Sequence, residues 1–311
     1  MPKKTTIIGA GNVGSTAAHC CLRLELGEIV LLDVGADIPS GKALDLAQAA
    51  ALEGHEARIR GTADYTDSRA SDVVVITAGV ARKPGMSRAD LLHTNISIVE
   101  QVMSKAVEHS PQALFVIASN PVDVICRVAL QSSGLPASRI IGLAGLLDAA
   151  RMRAELAALA GVPVHEVQGV VIGEHGENML PLPRLATIGG IPATSLFSAE
   201  QLEQVSQNTV SGGARIVSLL GYSAFYAPGM ALALMVKALL GDSKSIMPCS
   251  AYLKKHYGAE DIFMCVPVRL GAGGVEEIIQ LELNAEEKNK LSASVSNIRS
   301  GVQQALKVTA G

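Results

Sequence analysis

The sequence predicts an α/β protein in two parts. Residues 1–143 should form a doubly wound parallel sheet, and residues 144–311 an α+β domain with antiparallel strands. Three observations predict this. Near the start, a strand, a glycine-rich turn, a helix and a second strand ending in an acid follow one another in order. Two later runs, residues 73–77 and 113–117, are apolar without alternation, as strands buried on both faces require. From Leu147 onward the pattern changes to long helices and alternating strands.

Taking the chain in order, Thr5-Thr6-Ile7-Ile8 reads as a short strand leading into Gly9-Ala10-Gly11-Asn12-Val13-Gly14. A helix over residues 15–25 stops at Gly27, and a strand over residues 29–32 ends at Asp33. This is the dinucleotide fingerprint of a Rossmann sheet with its context intact. Gly9 permits the tight turn, Gly11 lets the backbone approach a pyrophosphate, and Gly14 lets helix and strand pack closely. Asn12 and Val13 complete a loop whose helix N-terminus offers free N–H groups to phosphates. Asp33 lies 19 residues beyond Gly14. Its carboxylate would accept hydrogen bonds from a ribose diol and repel a 2′-phosphate, so NAD is favoured over NADP. The competing reading is an ordinary glycine turn beside a strand-end carboxylate.

Residues 38–52 read as the next helix and residues 59–63 as a weak strand. The strand at 73–77 ends at Gly79, Pro84-Gly85 marks a turn, and residues 80–87 should form a loop. Ser87 with Asp90 resembles a capping box for a helix carrying Leu92, Ile96, Val99, Met103 and Ala106 at helical spacing. Thr77, Ala78 and Gly79, with Asn95 on that helix, are further candidate cofactor contacts. The loop is basic, with Arg82, Lys83 and Arg88. It sits where open α/β sheets bind ligands, and two arginines six positions apart suggest an anion with more than one polar end. Gly79 and Pro84-Gly85 are hinge candidates for a loop that closes over substrate; a static turn is the alternative.

The strand at 113–117 ends in Ser119-Asn120-Pro121. Asn120 could donate to a substrate oxygen and hold a nicotinamide edge, or merely cap the helix starting near Val122. A short strand follows near residues 139–142. The helix from Leu147 closes at Gly161 and Pro163 and carries Asp148 and Arg151 on one face. On spacing alone, a solvated ion pair is the favoured reading of those two. Residues 165–172 look strand-like and run into Gly173-Glu174-His175-Gly176-Glu177. A histidine between glycines at a strand end faces whatever fills the cleft, although a loop histidine is the commoner case. His19, His55, His93, His109, His165 and His256 lack such flanks. Gly189-Gly190 suggests a hairpin, residues 199–220 and 228–240 long helices, and residues 262–270 and 278–283 an antiparallel sheet. The last helix opens at Asn284 and carries Leu291, Val295, Ile298, Val302 and Leu306. This half has no second nucleotide motif, so it should supply the substrate site and subunit contacts.

Composition narrows the function. Nearly half of the 311 residues are apolar and 18% are charged, which argues against disorder. A net charge of −3 leaves no basic footprint for nucleic acid, and the absence of Trp argues against base-stacking platforms. Cys20, Cys21, Cys126, Cys249 and Cys265 show no metal spacing and read as buried, reduced thiols of a cytoplasmic protein. No metal site is expected. The start, MPKKTTIIGAG, runs straight into a strand, so no signal peptide is expected. The longest apolar stretch, residues 227–240, contains Lys237 and is too short for a membrane span.

With these residues assembled, the chain resembles the lactate/malate dehydrogenase family, and within it the lactate-dehydrogenase-like malate branch. GAGNVG, LLD, IPSGKALDL, TAGVARKPGMSR, SNPVD, LLDAARMR and GEHGE occur in family order across nearly the whole chain. The resemblance implies that His175 is the proton donor and acceptor, with Asp148 as its carboxylate partner. Arg151 would grip the substrate carboxylate, and Arg88 would polarise the carbonyl when the loop closes. Asn120 would contact substrate oxygen and cofactor, ahead of a cis bond at Pro121. Arg82 occupies the specificity position, where lactate enzymes carry Gln and malate enzymes Arg.

The implied activity is the reversible oxidation of (S)-malate to oxaloacetate with NAD. A small dicarboxylate would be the substrate, and the enzyme a cytoplasmic homo-oligomer, tetramer ahead of dimer. The malate branch often reads DSAR where this chain has Asp148-Ala149-Ala150-Arg151, and Phe where it has Met152; the charged residues are spared. The last lining position falls at Ser223 or Ala224. A lactate or other 2-hydroxy acid dehydrogenase is the alternative within the class. A non-catalytic NAD-binding sensor is the alternative outside it, and it would need only the glycine turn and Asp33.

Overall fold

The structure, a computed structural model, describes residues 3–80 and 88–309, with side chains from 92 to 307 in the second stretch. The first half alternates strand and helix. It runs β1 Lys4–Ile8, α1 Asn12–Arg23, β2 Glu28–Leu32, α2 Asp37–Glu53, β3 Ile59–Thr62, β4 Val73–Ile76, α3 Arg88–His109, β5 Leu114–Ile117, α4 Val122–Ser133 and β6 Ile140–Gly142. These strands are parallel in the order β3-β2-β1-β4-β5-β6. The order reverses between β1 and β4, which opens a crevice at the carboxyl edge.

The apolar runs dictate the centre of this sheet. Every residue of β4 and the Phe115-Val116-Ile117 run of β5 are fully buried. Each such side chain contributes roughly 1.5–3 kcal/mol, enough to fix the register of both strands and so the starting points of the loops after them.

The second half comprises α5 Gly145–Ala160, β7 Val167–Gln168, β8 Val171–Gly173, β9 Met179–Pro181, β10 Thr187–Ile188, β11 Ile191–Pro192, α6 Ala193–Leu196, α7 Ala199–Leu220, α8 Tyr226–Leu240, β12 Ser245–Leu253, β13 Ile262–Gly271, β14 Gly274–Ile278 and α9 Ala285–Thr309. Its antiparallel strands continue the first sheet. Strand β12 pairs with β6 at Ser250 opposite Gly142, and β13, β8 and β9 follow, with β14 on β13. Strands β7, β10 and β11 form a small second sheet around the expected Gly189-Gly190 turn. Helix α8 returns to the first half and packs on α1, where Gly229 sits directly against Thr16. Among the described residues, no helix is long and apolar enough to cross a membrane.

Three local expectations need correction. Helix α1 starts at Asn12 rather than at residue 15, so the second half of the glycine turn is already helical. Residues 165–172 are not one strand but a single 3₁₀ turn followed by β7 and β8 in different sheets. The break falls at Gly169, which lies tight against Met152 of α5. The strand expected over 278–283 ends at Ile278; beyond it, the Tyr257 hydroxyl takes the Leu281 N–H at 2.9 Å and replaces a ladder partner.

Candidate active site

The cleft is built at the carboxyl edge of the parallel strands. Gly9 follows β1 with φ at 108°, a conformation that favours glycine. A Cβ on Gly14 would overlap the Gly9 carbonyl oxygen, so only glycine lets α1 start this close to the strand. Gly11 faces open space. Thr77 braces the turn, its hydroxyl donating to the carbonyls of Ile8 and Gly9 at 3.2 and 3.0 Å. Gly14→Ala should therefore lower stability by about 1–3 kcal/mol even without ligand, an overpacking cost readable in denaturant melts.

Asp33 ends β2 beside this turn. Its two oxygens accept the N–H of Ala10 at 2.6 Å and of Val34 at 2.7 Å, which fixes the carboxylate's orientation. Lys42 donates to the Ala10 carbonyl at 2.6 Å. A cavity of about 380 Å³ opens alongside, lined by Gly9, Asp33, Val34, Tyr65, Ala78 and Ile98 among others. An oriented carboxylate, a helix N-terminus free of acidic side chains, and a partly apolar slot form a donor set that fits an adenosine diphosphate moiety.

Asn95, expected as a cofactor contact, is turned inward and is 3% exposed. Its Oδ1 accepts from Val80 N–H at 2.8 Å, and its Nδ2 donates to the Asn120 carbonyl at 2.9 Å. It ties the start of the basic loop to the loop of Asn120. The peptide bond between Asn120 and Pro121 is cis, as expected.

A second cavity, of about 270 Å³, is lined by Asn120, Arg151, His175, Ser223 and Ala224 among others. Asp148 lies beneath it, 1% exposed. One of its oxygens accepts from Arg151 Nη1 at 2.8 Å, and the other meets His175 Nδ1 at 2.7 Å. Of the pair that spacing favoured as solvated, Asp148 is thus buried and Arg151 part-buried, and Asp148 is shared with the histidine. Gly212 and Gly213 of α7 leave room for the guanidinium: a Cβ on Gly212 would stand 3.2 Å from Arg151 Cδ. Both Ser223 and Ala224 reach this cavity, so the two candidate lining positions are there together.

Burial alone would push the His175 imidazole toward the neutral form. The Asp148 charge and hydrogen bond, with help from Asp123, outweigh it and hold the imidazole above its ordinary range. With Nδ1 engaged by Asp148, Nε2 is the nitrogen available to a substrate. The sequence reading missed Asp123, whose buried carboxylate accepts the His175 N–H at 3.0 Å. Arg82, Lys83, Pro84, Gly85 and Ser87 lie outside the described residues. Arg88 opens α3, and its side chain also lies outside them. Among the described residues, no His, Cys, Asp and Glu cluster is placed to hold a metal ion, and all five cysteines are buried and unpaired.

The chain is similar to known proteins over nearly its whole length. The family description "lactate/malate dehydrogenase, NAD binding domain" matches residues 3–142, and its "alpha/beta C-terminal domain" matches residues 146–309. A malate dehydrogenase of Desulforudis audaxviator is 50% identical over 98% of this chain and 99% of its own length. The malate dehydrogenase structure from Salinibacter ruber superposes with a TM-score of 0.94 at 42% identity, covering 99% of both chains. A lactate dehydrogenase from Eimeria maxima, solved with NADH and oxamate, superposes with 0.95 at 37% identity, over 100% of this chain and 96% of the other. The backbone alone therefore does not separate the two activities, while the dyad, the glycine turn and the cis bond all fall inside the matched regions. The chain belongs to the lactate/malate dehydrogenase family.

Proposed function

We propose that this chain is an NAD-dependent malate dehydrogenase, interconverting (S)-malate and oxaloacetate. The observation that carries the chemistry is Asp148, buried and divided between His175 and Arg151 on the wall of one small cavity. When bound, NAD takes or returns the C2 hydride at its nicotinamide. His175 Nε2 takes the malate hydroxyl proton, and Asp148 stabilises the imidazolium that results. Arg151 is held in place by Asp148 and presents its remaining N–H groups to the substrate's first carboxylate, a planar fork that Lys cannot copy. Asn120 orients the reacting oxygen. Arg88 stabilises charge developing on that oxygen, and Arg82 meets the second carboxylate. Asp33 selects NAD by pairing with a ribose diol. The cofactor contacts we assign are Gly9, Gly11, Asn12, Val13, Gly14, Asp33, Thr77, Ala78, Gly79 and Asn120, with Asn95 acting through Asn120.

The division of labour follows the sequence boundary, with residues 1–143 holding cofactor and residues 144–311 supplying acid–base and carboxylate groups. We further propose a cytoplasmic homo-oligomer, a tetramer ahead of a dimer, which light scattering on the purified chain distinguishes. The malate-branch relatives and Arg82 support oxaloacetate over pyruvate. The test is NADH oxidation, followed by absorbance, with each 2-oxo acid in turn. Oxaloacetate should win in kcat/KM by roughly 30-fold or more, the cost of stranding one buried charge. Equal efficiencies would remove malate from the proposal, and no turnover of either would leave only cofactor binding.

A further inference from the structure

Asp123 stands two residues past Pro121, in the first turn of α4, and is 3% exposed. A buried carboxylate is costly unless its oxygens are satisfied. Here Oδ1 accepts from the Ser250 hydroxyl at 2.5 Å, and Oδ2 from the backbone N–H of His175 at 3.0 Å. Ser250 is fully buried on β12, at the register position where β12 meets β6. One carboxylate therefore joins three pieces of chain: the helix that follows Asn120, the strand that bridges the two halves, and the turn that carries His175.

We propose that Asp123 is a positioning residue for the reaction, its buried carboxylate clamping the His175 turn to the Asn120 helix so that the imidazole faces the substrate cavity. The inference rests on His175 being the acid/base. Asp148 fixes the imidazole ring but not the peptide that carries it. The peptide is held by Asp123, while Asn297 of α9 donates to the side chain of the neighbouring Glu174 at 2.6 Å.

The charges around the dyad make the role measurable. His175 is faced by Asp148 and Arg151 from α5 and by Asp123 from α4. Asp123 is faced by Glu174 and the His175 N–H from the turn and by Ser250 from β12, with the thiols of Cys126 on α4 and Cys265 on β13 beside it. Burial pushes Asp123 up to about 6, while Ser250 and the His175 N–H pull the other way, and it is the anionic form that raises His175. That anion favours imidazolium. A buried aspartate of purely structural value would alter stability and leave the pH profile in place.

Asp123→Asn keeps the shape and can still accept the His175 N–H while losing the charge; Ser250→Ala loses one hydrogen bond and keeps the carboxyl group. Each is measured as full-length enzyme for kcat, oxaloacetate KM, NADH affinity and the pH profile of kcat/KM. For Asp123→Asn, kcat should fall about 3- to 30-fold with NADH affinity nearly unchanged. The alkaline limb of oxaloacetate reduction should move to lower pH by about half a unit or more, because the imidazolium loses its proton sooner. Ser250→Ala should lower kcat less and move the limb less, because losing that hydrogen bond raises Asp123 but leaves its carboxyl group in place. A wild-type kcat and an unmoved limb in Asp123→Asn would overturn the proposal, as would a loss confined to NADH binding. If Asp123→Asn does not fold, Ser250→Ala decides, since a wild-type kcat there also overturns the clamp. His175→Asn is the separate control: turnover surviving in that variant would bring down the acid–base reading itself, whatever Asp123 does.

Discussion

Replacing Asp148 with Asn is expected to lower kcat by roughly 10²- to 10⁴-fold while leaving NADH affinity close to wild type. The geometry explains why so small a change is so costly. Asp148 accepts from Arg151 through one oxygen and meets His175 Nδ1 with the other. An Asn can satisfy both neighbours in one way only, giving its oxygen to Arg151 and its amide to the imidazole. Nδ1 must then accept, and Nε2 must carry the proton of the neutral ring. No acceptor is left facing the hydroxyl of malate, and imidazolium formed in catalysis has no counter-charge. Because Asp148 raises His175 against the opposing effect of burial, the variant imidazole should also titrate lower, shifting the pH profile of any residual activity in the acid direction. The residues to which we assign NADH all come from the first half of the chain, so its affinity should be spared, which a fluorescence titration reads directly. Wild-type turnover in Asp148→Asn would show that the dyad is not the proton relay.

The sequence made one half of this site plain and hid the other, for physical reasons. Glycines, strand ends and an acid at fixed offset are local features, so the turn at Gly9–Gly14 and the place of Asp33 were readable without the fold. The Asp148–Arg151 pair was not, because i,i+3 spacing reports a shared face and not what covers it. The arginine packs against Gly212 and Gly213 on α7, about sixty residues further on. Asp123 was invisible for the same reason, since its partners Ser250 and His175 come from β12 and the turn after β8. Strand β12 itself was unreadable: Pro248 stands inside it, opposite Pro267 of β13, and a proline argues against a central strand. Gly142 meeting Ser250 is what joins two expected sheets into one, a single long-range pairing with no local signature.

Arg82→Gln is expected to convert the enzyme's preference toward pyruvate. In the sequence, Arg82 stands between Val80, whose N–H is held by Asn95, and Arg88, where α3 opens. Through Asn95, Val80 is tied to Asn120, which lines the cavity of Arg151 and His175. In the proposed reading, oxaloacetate offers two carboxylates, one for Arg151 and one for Arg82. Pyruvate brings one carboxylate and a methyl group, so binding it opposite Arg82 would strand a guanidinium with no partner. That costs about 2–5 kcal/mol, or roughly 30- to several-thousand-fold in kcat/KM. A neutral Gln removes the penalty and, with it, the counter-charge for the second carboxylate. Oxaloacetate kcat/KM should fall by roughly 30-fold or more while pyruvate turnover rises, with NADH affinity unchanged because Asp33 and the glycine turn are untouched. The ratio of the two efficiencies is the readout, since a general loss of activity would lower both together. An unaltered ratio in Arg82→Gln would mean that the second carboxylate is recognised elsewhere on the cavity wall, with Ser223 and Ala224 the next positions to vary.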